Sequence, residues 1–271
     1  MTTALRPLST GELLDRTFFL YRNHFALFVG IFALPQLLIL GLQLLVVAFR
    51  GPGTPIVGGL ALLVTGLGQL VVSAAAQAAT IVAVSHVHLD RPTGVMDSFS
   101  RVKGQILGVV LLSLAVGFAV ALGFIFLIVP GILLMLRWSL AVPAKVLEDR
   151  GVGDAMSRSS ELTQGNRGRI FVIWILFIVL DIGVALLMQW PIQLGAGVTG
   201  AAGLQHAPLG WQVASNVATF ISSCLVGPLG TIAFSLVYYD ERVRKEAFDL
   251  QLMMSTLDAP ALQGAPAQAG A

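Results

Sequence analysis

Hydrophobic residues occur along the chain in six blocks that are separated by short polar segments. The blocks cover residues 25–49, 56–85, 105–129, 132–146, 170–190 and 211–239. A bilayer core about 30 Å thick needs roughly 20 apolar residues in helical conformation, so the blocks predict six transmembrane helices, of which the fourth is short. The run 170–180 does not alternate apolar and polar residues as the strands of a β-barrel would. The pattern therefore predicts an all-α, polytopic membrane helix bundle.

Glycine and proline mark where the predicted spans end or bend. The segment 50–55 between spans one and two contains two glycines and two prolines, which predicts a turn. Pro130-Gly131 predicts a break between spans three and four, and Gly227-Pro228 predicts a bend within span six.

Composition excludes the common soluble classes. Of 271 residues, 56% are hydrophobic and only 11% are charged, whereas soluble domains carry roughly 25% charged residues. Disordered chains need low hydrophobicity and high charge, so disorder is excluded for the chain as a whole. The single cysteine, Cys224, leaves no internal disulfide and no CxxC metal site.

The distribution of basic residues predicts the orientation of the bundle. Fourteen of the 16 Lys and Arg residues lie in the terminal segments or in the loops after spans two and four, whereas Arg50 alone lies on the opposite side and Arg137 lies within a span. The positive-inside rule then places both termini in the cytoplasm. Topology accounts for the basic residues, so we expect no nucleic-acid partner. Charges before residue 25 argue against a cleaved signal peptide.

Amphipathic segments precede the odd-numbered spans. Segments 9–24, 92–104 and 152–164 each begin with a small or capping residue, followed by an acid and then a base. Ser9 and Glu12 fit a capping box, and the pattern predicts interfacial helices on the inner leaflet. The similarity indicates either a three-fold repeat of one such helix with two spans, or only the capping that any helix start requires.

The C-terminal part is predicted in two pieces. Residues 240–257 form a fourth inner-leaflet helix, because Val243, Leu250, Met254 and Leu257 approximate an apolar stripe. Residues 258–271, rich in Ala, Pro, Gln and Gly, form a disordered tail. Residues 1–257 are thus predicted to form a single integral membrane domain.

Several segments resemble the membrane domain of bacterial glycerophosphoryl diester phosphodiesterases. They are residues 6–16, 129–132, 137–143, 155–159 with 161–165, and 239–246 with Phe248 and Asp249. The resemblance extends over about residues 5–255 and implies a stand-alone bacterial membrane domain. Some members of that family continue into a catalytic barrel after this domain. The chain ends soon after the sixth span, so we expect no counterpart of the family's catalytic residues.

Motifs for cofactors and metals are weak. His86 and His88, near Asp90, are two residues apart and do not share a helix face, so interfacial histidines are favoured over a metal site that would require an extended segment. Residues 195–200 match GxGxxG but follow a membrane span rather than a strand, which indicates a flexible outer loop. We expect no metal, no cofactor, no catalytic residues and no enzymatic activity.

A polar stripe runs along the second span. Gln69, Ser73, Gln77 and Thr80 recur at steps of four, four and three residues, with alanines between them. The stripe indicates either a polar path or ligand groove, or close helix packing with interhelical hydrogen bonds. Packing is the favoured interpretation, because small residues at helix interfaces are typical of membrane bundles.

Arg137 and Asp181 are the only ionisable residues placed well inside the predicted membrane region. Arg137 follows Gly131 by six residues, or about 9 Å, and Asp181 precedes Trp190 by nine residues, or about 13 Å from the same side. Their similar depths suggest a direct or water-bridged ion pair. Alternatively, the fourth span is shallow and Arg137 extends to the interface.

Two functions fit these features. The first is a non-enzymatic membrane protein that acts as a scaffold, an assembly factor or a component of membrane homeostasis. The alternative is a transporter or carrier of a lipid-derived or other small solute, which the polar stripe, the broken spans and the intramembrane charges favour. Expected partners are membrane lipids, together with another protein or a second copy of the chain.

Overall fold

The computed structural model describes residues 8–49, 55–89, 91–198 and 207–246, and the regular secondary structure of these residues is helical. In chain order the helices are α1 (Thr10–Asn23), α2 (Phe25–Ala48), α3 (Pro55–His88), α4 (Val95–Val102), α5 (Ile106–Phe126), α6 (Ile128–Arg137), α7 (Ala141–Glu148), α8 (Val152–Thr163), α9 (Arg167–Val198) and α10 (Leu209–Glu246). The all-α prediction is confirmed. The turn at 50–54, Asp90 and the tail at 258–271 lie outside the described residues.

Six helical segments are long and apolar enough to cross a membrane: α2, α3, α5, α6 with α7, α9 and α10. Large apolar side chains remain exposed along them, such as Leu38, Ile125 and Leu187. Exposed apolar residues on a helix of this length are suited to contact with lipid. The protein is therefore a multi-pass membrane protein.

A short helix that precedes two spans occurs three times in the order of elements, and in the middle set the second span is divided into α6 and α7. The short helices α1, α4 and α8 precede α2, α5 and α9. The capping box at the start of α1 is present, since Ser9 Oγ accepts from Glu12 N–H and the Glu12 carboxylate accepts from Ser9 N–H. This recurring order fits the three-fold repeat, which stays a hypothesis.

The main hydrophobic core lies in one half of the bundle. It joins Leu13 of α1, Phe28 of α2, Ile170 of α9 and Ile232 of α10, all fully buried. Four alanines of α3 are buried in the same core, where small side chains allow helices to approach closely: Ala74, Ala78, Ala79 and Ala83. In the same half, α1, α8 and the C-terminal turns of α10 meet. We call this half the charged end of the bundle.

The break between spans three and four lies at Leu127 rather than at Pro130-Gly131. Leu127 has an extended backbone (φ −163°, ψ 148°), and α6 begins at Ile128. Pro130 lies in the first turn of α6, where its missing N–H removes no helical hydrogen bond. The turn is tight because two glycines meet there: a Cβ added at Gly123 would lie 3.0 Å from the Cα of Gly131.

Two further helices continue through proline. The predicted fifth span ends at residue 190, but α9 continues through Pro191 to Val198, and α10 is one helix through Pro228. Prolines are tolerated in membrane helices, where neighbouring groups satisfy the freed backbone atoms. The interpretation of 195–200 as a flexible loop is wrong for residues 195–198, which are helical; Gly195 approaches the Trp211 ring so closely that a Cβ would overlap it.

The end of α10 also differs from the sequence-based prediction. Residues 240–246, which were expected to start a separate helix on the membrane surface, continue α10. Asp240 and Glu241 are buried among neighbouring helices, because arginines and an asparagine hydrogen-bond to their carboxylates. Residues 247–257 lie outside the described part of the chain.

Candidate functional site

The first group of charges at the charged end is centred on Glu148, the last residue of α7. Its carboxylate accepts hydrogen bonds from the Tyr238 hydroxyl and from Arg158 Nε, the latter at 3.2 Å. Arg158, on α8, also donates to Glu246 of α10. The Glu148 and Arg158 side chains are only 11% and 14% exposed. One carboxylate therefore joins α7, α8 and α10.

Pairing also affects the protonation of Arg158. Burial alone lowers its pKa, but hydrogen bonds to Glu246 and Glu148, together with their charges, outweigh burial and raise the pKa. A guanidinium is already protonated at any physiological pH. The pairing therefore offsets the cost of burying the Arg158 charge.

The second group is centred on Asp240, whose side chain is 1% exposed. Its carboxylate accepts from Arg169 of α9, from Arg244 Nε at 2.9 Å and from the backbone N–H of Leu8 at 2.6 Å. The neighbouring Glu241 is fully buried, accepts from Asn166 Nδ2 at 2.7 Å and lies 3.6 Å from Arg169. This group joins the chain before α1 to α9 and α10.

We refer to the two groups together as the ion-pair network. It comprises Glu148, Arg158, Arg169, Asp240, Glu241, Arg242, Arg244 and Glu246. In the sequence these charges indicate only the topology, and their spacing does not predict that they meet. Two of the segments that carried the family resemblance, 155–165 and 239–246, contain several of them and were the available signal.

The four residues of the polar stripe on α3 lie in different environments. Gln69 and Gln36 of α2 exchange side-chain hydrogen bonds of 3.3 and 3.4 Å. Ser73 donates to the carbonyl of Leu70 in its own helix at 3.0 Å. Gln77 is half-buried, and Thr80 is fully buried with no hydrogen-bond partner for its hydroxyl within the described residues. The Gln36–Gln69 pair is the kind of contact that the packing interpretation requires.

Arg137 and Asp181 do not form the direct ion pair suggested by their sequence positions. Arg137 Nε donates to Ser160 Oγ of α8 at 2.7 Å, and within the described residues no Arg137–Asp181 contact lies within the 4.0 Å of a salt bridge. The similar depths of Arg137 and Asp181 along their helices apply only to an unbroken fourth span. Instead, a turn at residues 138–140 separates α6 from α7, and Ser159 of α8 bonds to both sides of that turn.

Two of the surface cavities formed by the described residues contain ionisable side chains. One, of about 240 Å³, lies between α9 and α10 and contains Asp181. The other, of about 430 Å³, lies where α1 meets α2 and the α3–α4 connection; it is lined by His24, Leu27, Val87, Arg91, Pro92 and Thr93.

The histidines near the end of α3 are engaged with other side chains. His88 stacks on Tyr239 of α10 with ring centroids 5.7 Å apart, and its Nδ1 lies 3.2 Å from Arg16 Nη2. Among the described residues, which exclude Asp90, no group of three potential metal ligands occurs. The absence of a metal site remains a prediction.

Comparison with known proteins identifies the family of the chain. No curated protein and no solved structure matches the chain. The sequence profile of a family described as a domain of unknown function, DUF7847, matches residues 101–241, just over half of the 271 residues. The matched stretch includes Glu148, Arg158, Arg169, Asp240 and Glu241 of the ion-pair network. The chain therefore belongs to the DUF7847 family.

Proposed function

We propose that the protein is a non-enzymatic scaffold or assembly component of the bacterial cytoplasmic membrane. The observation that carries this proposal is the ion-pair network, which joins the segment before α1 to α7, α8, α9 and α10 through buried carboxylates. Buried ion pairs add little net stability but strongly penalise arrangements that separate the partners. The network therefore favours one fixed surface at the charged end, which suits a platform for other proteins.

A carrier needs the opposite property. Alternating access moves one part of a transporter against another, and such a movement at the charged end would separate several of these buried charges. The features that favour a carrier are the half-buried Gln77 and the unpartnered Thr80 hydroxyl of α3. We retain transport of a small or lipid-derived solute as the second candidate.

We further propose that the charged end faces the cytoplasm, with both termini there, as the distribution of Lys and Arg favours. Membrane lipids are the first expected partners. The cavity lined by His24 and Arg91 lies at this end, where cationic groups attract anionic lipid headgroups. The resemblance to the membrane domain of glycerophosphoryl diester phosphodiesterases supports a stand-alone membrane role, with a protein partner or a second copy as the remaining candidates.

Complementation of a deletion strain separates the two functions. The readouts are lipid composition and the membrane complexes resolved by native electrophoresis. One variant, Gln77→Leu with Thr80→Val, removes polar groups from α3 and leaves the Gln36–Gln69 pair intact. The other, Arg158→Lys, keeps the charge but cannot bind two carboxylates with a planar fork. Arg101→Lys, in an exposed pair, is the matched control.

A scaffold predicts that the α3 variant restores the wild-type complexes and that Arg158→Lys does not, at equal amounts of protein in the membrane. A carrier predicts that the α3 variant fails to restore the wild-type phenotype and that Arg158→Lys restores it. Failure of the α3 variant together with success of Arg158→Lys would overturn the scaffold proposal.

A further inference from the structure

The cavity between α9 and α10 has an unusual chemical composition for a membrane-embedded surface. One wall of the cavity is formed by four residues of α9 at helical spacing, which are Trp174, Phe177, Ile178 and Asp181. The other wall is formed by four residues of α10, which are Val226, Gly227, Gly230 and Phe234. Three aromatic rings and one carboxylate thus border the same cavity. The aromatic rings offer negative faces to a cation, and the carboxylate offers a full negative charge.

The carboxylate lies deep along α9. Asp181 follows Arg167, the first residue of α9, by 14 residues, which corresponds to about 21 Å of helix. In a bilayer core about 30 Å thick, this position is well inside the hydrocarbon. An ionised Asp at the centre of a membrane helix costs roughly 2.5–3.5 kcal/mol, so a contact with a cation would stabilise the ionised side chain.

The described part of the chain provides no such contact. No Lys, Arg or His of these residues forms a salt bridge with Asp181, and Arg137, the partner suggested by the predicted depths, donates to Ser160 instead. Intramembrane carboxylates without a partner in the protein commonly serve a bound ligand or ion. The charge that complements Asp181 is therefore expected to come from outside the described chain.

Gly230 leaves the cavity open, and Gly227 allows close packing on the other side of α10. A Cβ added at Gly230 would meet no atom within 4 Å, so this position faces free space. A Cβ added at Gly227 would instead overlap the Phe32 ring of α2, which shows that α10 is closely packed on its other side. The volume of about 240 Å³ is smaller than the roughly 300 Å³ at which pockets for whole drug-sized ligands begin. It suits a headgroup whose apolar tail remains in the lipid.

We propose that this cavity binds the ammonium group of an amphiphilic organic cation, which enters sideways from the membrane. The headgroup lies among the rings of Trp174, Phe177 and Phe234 and is paired with Asp181, while the alkyl tail extends between α9 and α10 into lipid. Carboxylate and aromatic rings together select for a cation over an anion of the same shape. The inference goes beyond the proposed scaffold function, because binding requires neither a protein partner nor transport.

The test is equilibrium binding to the full chain in uncharged dodecyl maltoside micelles. The probes are decyltrimethylammonium and decanesulfonate, which share a tail length and differ in the sign of the headgroup charge. We expect saturable binding of the cation above that to empty micelles, and no saturable binding of the anion. A quaternary ammonium cannot lose a proton, so its charge is the same in every variant.

Four variants locate the site. Asp181→Asn keeps the shape but removes the charge, and we expect about tenfold weaker binding. Trp174→Leu removes one π face, with an expected loss of a few-fold. Gly230→Leu fills the open space and should abolish binding. Gly183→Leu is the matched control, because Gly183 is exposed on α9 outside the cavity lining and has free space for a Cβ; it should bind like the wild type.

Each variant is first checked for a single oligomeric species and for its thermal unfolding in the same micelles. If Gly230→Leu fails this check, the affinities of Asp181→Asn and Trp174→Leu decide whether the cation binds in this cavity. Equal binding of both probes would overturn the proposal, as would unchanged affinity in Asp181→Asn. Failure of the α3 variant together with success of Arg158→Lys in the complementation experiment would overturn the scaffold function alone, because none of these residues lines this cavity.

Discussion

At the scale of single residues, Asp240 is a buried carboxylate that accepts three hydrogen bonds. A carboxylate with 1% exposure has lost nearly all of its hydration, so its charge depends on hydrogen bonds from Arg169, Arg244 and the Leu8 backbone. Removal of one partner from a buried pair leaves an uncompensated charge, whereas an exposed pair can be replaced by water. The two kinds of pair therefore differ in their sensitivity to substitution.

Arg169→Ala is expected to lower the free energy of unfolding by about 3 kcal/mol, the low end for a broken buried pair, because Arg244 still neutralises Asp240. The matched control is Arg101→Ala, whose pair with Asp97 is 49% and 41% exposed; its expected cost is about 0–1 kcal/mol. Unfolding in detergent followed by circular dichroism measures both. Equal effects of the two substitutions would contradict the assignment of Arg169 to a buried network.

The separation of Arg137 from Asp181 gives a second prediction at this scale. Because the two side chains share no contact, Arg137→Ala and Asp181→Ala should change stability additively, within about 0.5 kcal/mol. Arg137→Ala combined with Ser160→Ala should deviate from additivity, since these residues share a hydrogen bond of 2.7 Å. A double-mutant cycle on thermal unfolding compares the two pairs. Strong coupling between Arg137 and Asp181 would restore the ion pair predicted from sequence.

At the scale of helices, close backbone approach determines where the elements meet. The α5–α6 hairpin brings Gly123 against Gly131 and Leu134, and a Cβ at Gly131 would overlap the Phe124 ring. A side chain at either glycine would separate the two helices. The connection at Leu127 is possible because both positions lack one.

Gly123→Ala is therefore expected to destabilise the protein by about 1–3 kcal/mol, as overpacking does in a filled core. Gly117→Ala, in the same helix with no atom within 4 Å of the new Cβ, should be neutral or stabilising by up to about 1 kcal/mol, because alanine favours helix more than glycine does. Thermal unfolding of the two variants in one detergent provides the comparison. A stabilised Gly123→Ala would argue against the close approach.

At the scale of the whole molecule, the two described ends of the chain meet. The backbone N–H of Leu8 donates to Asp240, and its carbonyl accepts from Arg169 and Arg244. Six spans return the chain to the side of the membrane on which it started. A contact between these ends is consistent with an even number of crossings.

Reporter fusions test which side this is. Fusions at the C-terminus and after Lys103 should report the cytoplasm, and insertions at residues 53 and 200 should report the opposite side, because the basic residues are concentrated at the charged end. The measurement is the activity of a paired cytoplasmic and periplasmic reporter at each site. A C-terminal fusion active on the outer side would reverse the proposed orientation.

The sequence by itself determined that the chain crosses the membrane, how many times it does so and that it is helical. These properties depend on local quantities, the length and apolarity of each block, because transfer of a segment into hydrocarbon is decided largely within that segment. The capping box of α1 was equally predictable, since Ser9 and Glu12 are three residues apart. The proline and glycine signals were less reliable: the break predicted at Pro130-Gly131 lies at Leu127, and α9 continues through Pro191.

Only the tertiary structure decided which charges meet. Arg158 reaches Glu246 across 88 residues, and Leu8 reaches Asp240 across 232; no pattern of period 3.6 encodes such a pairing. The turn at 138–140 moved Arg137 away from Asp181 by bringing α8 against it, and left Asp181 in a cavity whose other wall belongs to α10. Helix packing sets these contacts, because side chains at the same depth can bond only where their helices are neighbours and present facing sides.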